Sequence, residues 1–185
     1  MENKSYGHLM IDLETMGNVK NSAIVSIGAV EFNIENGDIG EEFYAVVNLQ
    51  SCLDKGMVVN GDTIYWWLNQ DKKSINEILK ENFNIDLVLE SFTRFFDNLN
   101  YQNLQIWSNG KYFDLPILEN AFNLCGLKKP WKYSNERDVR TLLSLYPDVK
   151  NLEYCPNVIK HHPIDDCKHQ IRECSKVWKY IMNKI

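Results

Sequence analysis

The sequence predicts an α/β fold in which a sheet is covered by helices. Three strand-like runs come first, over 8–13, 23–32 and 43–49. Helix-spaced segments follow, with one more short strand run inserted at 104–108, and a long amphipathic helix closes the chain. A sheet and its helices each have an apolar face to bury, and layering one on the other does this.

β-branched and aromatic residues dominate the three early runs, as suits a pleated, half-buried surface. Asn36-Gly37-Asp38 is a turn signal between the second and third. Segments 63–68, 74–79 and 87–99 carry helical spacing, clearest in Leu87, Phe92, Phe95, Phe96 and Leu99. The run 104–108 reads as a short buried strand entering Asn109-Gly110. A helix is expected over 115–125, stopped by Gly126, and another over 139–146, ended by Pro147. In the last helix, Ile164, Cys167, Ile171, Cys174, Trp178 and Ile181 recur at steps of three and four, one apolar stripe. Pro163 suits its first turn. No repeat, low-complexity tract or linker divides residues 1–185, so a single domain is expected.

At 185 residues, 44% hydrophobic and 12% aromatic, the chain can bury a substantial core. Its formal net charge of −5 argues against a protein that coats duplex nucleic acid by neutralising phosphates. It leaves room for one that grips a short strand end through metals and a few local cations. The five cysteines form no Cys-x-x-Cys pair and their number is odd, which points to reduced thiols in a cytoplasmic protein. Met1-Glu2-Asn3-Lys4-Ser5 lacks an apolar secretory core, and no segment approaches the ~20 apolar residues of a membrane span. No membrane partner is expected.

Chemistry concentrates in four carboxylates and one histidine. Asp12 and Glu14 lie two apart in a strand-like run, so both leave on one side while Ile11 and Leu13 leave on the other. Like charges held that close repel unless neutralised, and a divalent cation neutralises them directly. Asp114 and Asp166 supply further carboxylates from later elements. Metal ions held by such a set can clamp both the attacking water and the leaving oxygen of a phosphodiester. A histidine, with an unperturbed pKa of ~6.5, suits the base that removes a proton from water.

These residues carry a resemblance to the DEDDh exonucleases of the ribonuclease H-like fold, relatives of proofreading subunits, ribonuclease T and oligoribonuclease. Asp12-Leu13-Glu14-Thr15 matches the first family motif, and Phe113-Asp114, opening a helix, matches the second. His161, five residues before Asp166, matches the third. Thr63-Ile64-x-Trp66-Trp67-x-x-Gln70, Trp107-x-Asn109-Gly110 and Arg137-Asp138-Val139-Arg140-Thr141 look most like the branch of phage DexA-type exonucleases and small 3′–5′ exoribonucleases. The resemblance implies a mixed five-stranded sheet flanked by helices, and 3′→5′ hydrolysis of single-stranded DNA or RNA to nucleoside 5′-monophosphates. It implies two Mg²⁺ or Mn²⁺ ions held by Asp12, Glu14, Asp114 and Asp166, with His161 as the general base. Thr15, Asn109 and Phe113 are further substrate-binding candidates, and the resemblance is compatible with a homodimer. Gly110 departs from many proofreading-type relatives, which carry asparagine four residues before the second-motif aspartate. Two other readings remain: a hydrolase of very short oligonucleotides, which the acidic charge favours over a long-strand binder, and a non-catalytic nucleic-acid-binding domain. The latter would show the loss of a ligand position, and none is lost.

Each residue also has a plainer reading. Asp114 alone would be an N-cap. Asp165 competes with Asp166, but at ~100° per residue it lies nearly opposite the apolar stripe and is expected in solvent, whereas Asp166 lies nearer its edge. His162 at the same offset points to Cys167, no ligand for a hard cation, so it is expected to be a loop residue. His8 and His169 read as structural. Of Trp66 and Trp67, one is expected in the core and the other near the strand-binding groove, since bases stack on aromatic faces. Met16 could wedge against the terminal base or simply pack its loop. Lys111, Lys160, Arg137 and Arg140 are the cations placed to meet phosphates. The cysteines read as bystanders rather than nucleophiles.

Overall fold

The computed structural model describes residues 6–110, 112–146, 155 and 158–184. β1 (Gly7–Thr15), β2 (Ile24–Asn33) and β3 (Ile39–Val46) form an antiparallel meander. Four helices follow: α1 (Leu49–Asp54), α2 (Gly61–Leu68), α3 (Lys72–Ile78) and α4 (Ile85–Asn98). Next come β4 (Gln105–Ser108), α5 (Asp114–Leu124), a 3₁₀ turn, β5 (Glu136–Asp138), α6 (Val139–Ser144) and α7 (Pro163–Met182). The sheet order is β3-β2-β1-β4-β5, with β4 and β5 parallel to β1. This is the mixed five-stranded sheet that the motifs imply.

Helices cover both faces, so the central strands are buried on both sides and read as near-continuous apolar runs. Along β1, Leu9, Ile11 and Leu13 face one core with Phe92 of α4 and Leu118 and Phe122 of α5. Met10 faces the other, with Trp107, Val139 of α6, and Cys167, Ile171 and Cys174 of α7. Asp12 and Glu14 share the parity of Met10 and so turn toward α7. Cys52, Cys167 and Cys174 are buried and all five cysteines are free. Among the described residues no helix is long and apolar enough to cross a membrane.

Several elements depart from the sequence reading, and α1 has no counterpart in it. The third strand begins at Ile39 and ends at Val46, because the Asn48 carboxamide caps α1 by accepting from Ser51 N–H at 3.0 Å. β5 is three polar residues, too short and too hydrophilic to leave an apolar run. α6 ends at Ser144, and the expected stop at Pro147 lies outside the described residues.

Gly28 sets how closely α7 approaches the sheet. It pairs with Asp12 across β1 and β2. A Cβ there would stand 2.5 Å from the Pro163 Cβ, 2.8 Å from the Pro163 carbonyl carbon and 3.0 Å from the Ile164 nitrogen. Helix backbone cannot yield as a flexible side chain would. Gly28→Ala is therefore expected to destabilise the fold by about 1–3 kcal/mol through overpacking, and to lower activity by pushing the start of α7 outward. Thermal unfolding and turnover of the same preparation check this; an unchanged melting temperature would refute it.

Candidate active site

The site forms where β1 and β4 part company. Their pairing extends only over His8–Met10 of β1, and such crevices at the carboxyl ends of parallel strands are where α/β sheets place ligands. Beyond Met10 the edge of β1 is open, and the Leu13 N–H donates to Asp114 Oδ1 at 3.1 Å. Asp114 is the first residue of α5, not its N-cap: Phe113 holds that position, with no side-chain capping bond. The carboxylate is aimed at β1 instead.

From the other side, α7 brings Asp166 in its first turn and Gln170 one turn later. The buried Gln170 carboxamide donates from Nε2 to Asp12 Oδ1 at 2.8 Å. Glu14, His161 and Asp166 each offer one ligand atom, all within 4.8 Å of one another. His161 Nδ1 lies 3.9 Å from Glu14 Oε1. His161 is left-handed, φ 60°, unusual for a residue with a side chain. The neighbouring His162 points elsewhere: its ring packs on Tyr44 at 4.6 Å between centroids, and its Nε2 is 3.5 Å from Glu77 Oε2. Asp165, expected in solvent, is half-buried and accepts from the Ile159 N–H at 2.9 Å, which ties the preceding loop back to the helix.

Electrostatics bind the four carboxylates into one unit. Burial, followed by the charges of Asp166 and Asp114, pushes Glu14 up to about 8. Burial pushes Asp114 up to about 7, against the N–H groups of Leu13 and Asp114 itself and the Arg140 guanidinium. Asp12 is raised well above the usual carboxylate range by burial and then by Asp114, Glu14 and Asp166, with Gln170 opposing. Burial, then Lys160, lowers His161.

Beside Glu14 lies a cleft of about 380 Å³, lined in part by Thr15, Asp62, Thr63, Trp66 and Phe113. Of the two tryptophans, one is buried and the other exposed. Trp67 is buried and donates its indole N–H to the Thr15 carbonyl at 3.0 Å. Trp66 is 42% exposed and sets its ring edge-on to His161 at 4.7 Å. Met16 does not line this cleft; its backbone holds the loop, bonded to Ala23 and Asn60. Asn109 accepts from Arg140 Nε at 3.3 Å, outside the cleft. Arg137 is spent on the carbonyls of Ser134 and Glu136, and Lys111 lies outside the described residues. Size does not mark the site. A larger cavity of about 600 Å³, between β3 and α4, contains none of these carboxylates.

A model of the "3'-5' exoribonuclease Rv2179c-like domain" family matches residues 7–178. The chain belongs to that family. It is a 3′–5′ exonuclease, and its mixed five-stranded sheet flanked by helices is the ribonuclease H-like fold. It is similar to the exodeoxyribonuclease of Enterobacteria phage T4, 26% identical over 94% of this chain and 89% of that protein. The nuclease domain of 3′hExo, a DEDDh family member solved bound to rAMP, superposes over 96% of this chain and 94% of its own (TM-score 0.69, 14% identity). E. coli Exonuclease I, solved with an oligonucleotide, matches 95% of this chain over 42% of its own (TM-score 0.59, 14% identity).

A divalent metal fits the residues of this exonuclease. Hard oxygen donors converge from β1, α5 and α7, and their mutual repulsion is what a cation relieves. Gln170 adds a buried Oε1 with no hydrogen-bond partner among the described residues. Gln170 was missed in the sequence, although its position, four residues after Asp166 and thus on the same helix face, was a readable signal.

This charge cluster gives a pH signature. Between pH 4.5 and about 8 for Glu14, and 3.8 and about 7 for Asp114, the folded metal-free protein holds protons that the unfolded chain has released. Stability then falls as pH rises, by up to ~1.4 kcal/mol per pH unit per group. In EDTA the melting temperature is expected to drop from pH 5.5 to pH 8, and added Mg²⁺ to restore more at pH 8 than at pH 5.5. A Mg²⁺ effect independent of pH would contradict this origin.

Proposed function

We propose that this exonuclease removes nucleoside 5′-monophosphates one at a time from the 3′ end of single-stranded nucleic acid, with two divalent cations, Mg²⁺ or Mn²⁺, as cofactors. The observation that carries the reading is the convergence of Glu14, His161 and Asp166 within 4.8 Å, coupled electrostatically to Asp12 and Asp114. Asp12, Glu14, Asp114 and Asp166 hold the ions. When bound, these activate water and stabilise charge on the phosphate and the leaving 3′-oxygen. His161 accepts the water's proton, and its burial keeps the ring in the neutral form that can do so. Gln170 holds Asp12 in one orientation. Trp66, exposed beside His161, offers a stacking face to the terminal base, in a cleft with Thr15 and Phe113.

DNA and RNA strands of matched sequence, labelled at the 5′ end, test the reading in the presence of Mg²⁺. A ladder shortening stepwise from the 3′ end is expected, with mononucleotide release and no cleavage in EDTA. Internal cuts would overturn it. Running dinucleotides alongside ~20-residue strands separates a short-oligonucleotide hydrolase from a strand-degrading enzyme.

A further inference from the structure

The left-handed backbone of His161 needs surroundings that hold it, since a residue with a side chain adopts φ near +60° only when its neighbours over-determine it. Those neighbours are held on both sides. Before it, the Lys160 carbonyl accepts from the Ser74 hydroxyl at 2.7 Å, and the Ile159 N–H donates to Asp165. After it, His162 Nε2 meets Glu77 Oε2, and the His162 carbonyl accepts from Asp166 N–H at 3.0 Å. Ser74 and Glu77 both belong to α3 and both are buried, at 1% and 8% exposure. Asp71 caps α3 by accepting from the Ser74 N–H at 2.9 Å, which fixes the serine in turn.

We propose that α3 is a clamp on the histidine loop, with Ser74 and Glu77, through His162, acting as positioning residues for His161. A polar contact buried against a loop carbonyl is a costly arrangement unless satisfied; here satisfying it sets the angle at which the imidazole meets Glu14. Neither residue touches the substrate cleft. Their effect therefore falls on the chemical step rather than on strand binding. The proposal rests on the reading of His161 as the base.

Ser74→Ala removes the hydroxyl and leaves the capping N–H. In the wild-type background it is expected to lower kcat about five- to tenfold with KM within twofold, because misaimed groups slow the step they catalyse. In a His161→Ala background the same substitution is expected to change the residual rate less than twofold. His162→Phe, which keeps a ring against Tyr44 and drops the Glu77 contact, should repeat both results. Melting temperatures taken on all variants identify any that fail to fold, and the cycle is scored on the folded ones. An equal, additive loss in both backgrounds would overturn the clamp, as would a loss confined to KM or a wild-type kcat in both Ser74→Ala and His162→Phe. If His161→Ala alone left the rate intact, the base assignment would fail first and visibly.

Discussion

Asp114→Asn is expected to slow nuclease turnover by about 10²–10³-fold, the scale of losing one placed electrostatic group at a reacting centre, while making the metal-free protein more stable. The two effects have one cause. Asp114 is 3% exposed and its charge raises both Asp12 and Glu14. Asparagine keeps an Oδ1 that can still accept from Leu13 N–H, so the link from α5 to β1 survives. What disappears is a buried negative charge beside others. The gain in melting temperature in EDTA should be larger at pH 8 than at pH 6, because the aspartate titrates at about 7 and is mostly neutral below that. Stabilisation by Mg²⁺ should shrink in the variant. Asp114→Ala should be as slow but less stable than Asp114→Asn, since it leaves the Leu13 N–H without its acceptor at a cost of about 1–3 kcal/mol. Full turnover in Asp114→Asn would remove this residue from the ligand set.

The trade between stability and function here explains which parts of the molecule were legible in the sequence. Strand parity placed Asp12 and Glu14 on one side of β1, and their companions on the other, because a two-residue period leaves no alternative. Helical angle, added to motif spacing, separated Asp166 from Asp165. The sequence predicts that one of Trp66 and Trp67 is buried without saying which, and packing against the core decides for Trp67. What escaped was polar and local. β5 carries no hydrophobic signal. α1 is decided by the Asn48 cap, a single hydrogen bond. The helical angle of Asp165 predicts solvent, whereas the Ile159 N–H of the preceding loop folds back onto it. Ser74 and Glu77 act on a loop about 85 residues away in sequence, and no periodicity reports such a contact. Apolar patterning fixes layers; partners of buried polar atoms depend on where the chain happens to return.

His161→Ala is expected to slow degradation by about 10²–10⁴-fold, the usual contribution of a positioned general base, and His162→Ala by far less. The two adjacent residues are chemically identical, so the difference is purely geometric. His161 reaches Glu14 and borders the cleft through Trp66, whereas the His162 ring is held between Tyr44 and Glu77. Removing His162 should cost stability and loosen the loop, seen as a lower melting temperature with a modest fall in kcat. Removing His161 should leave the melting temperature near that of the wild type, because its imidazole is more exposed than that of His162 and its contact to Glu14 is 3.9 Å long. Single-turnover rates at saturating strand and metal isolate the chemical step. A larger loss from His162→Ala than from His161→Ala would transfer the base to the residue now facing away from the carboxylates, and the loop would have to rotate to permit it.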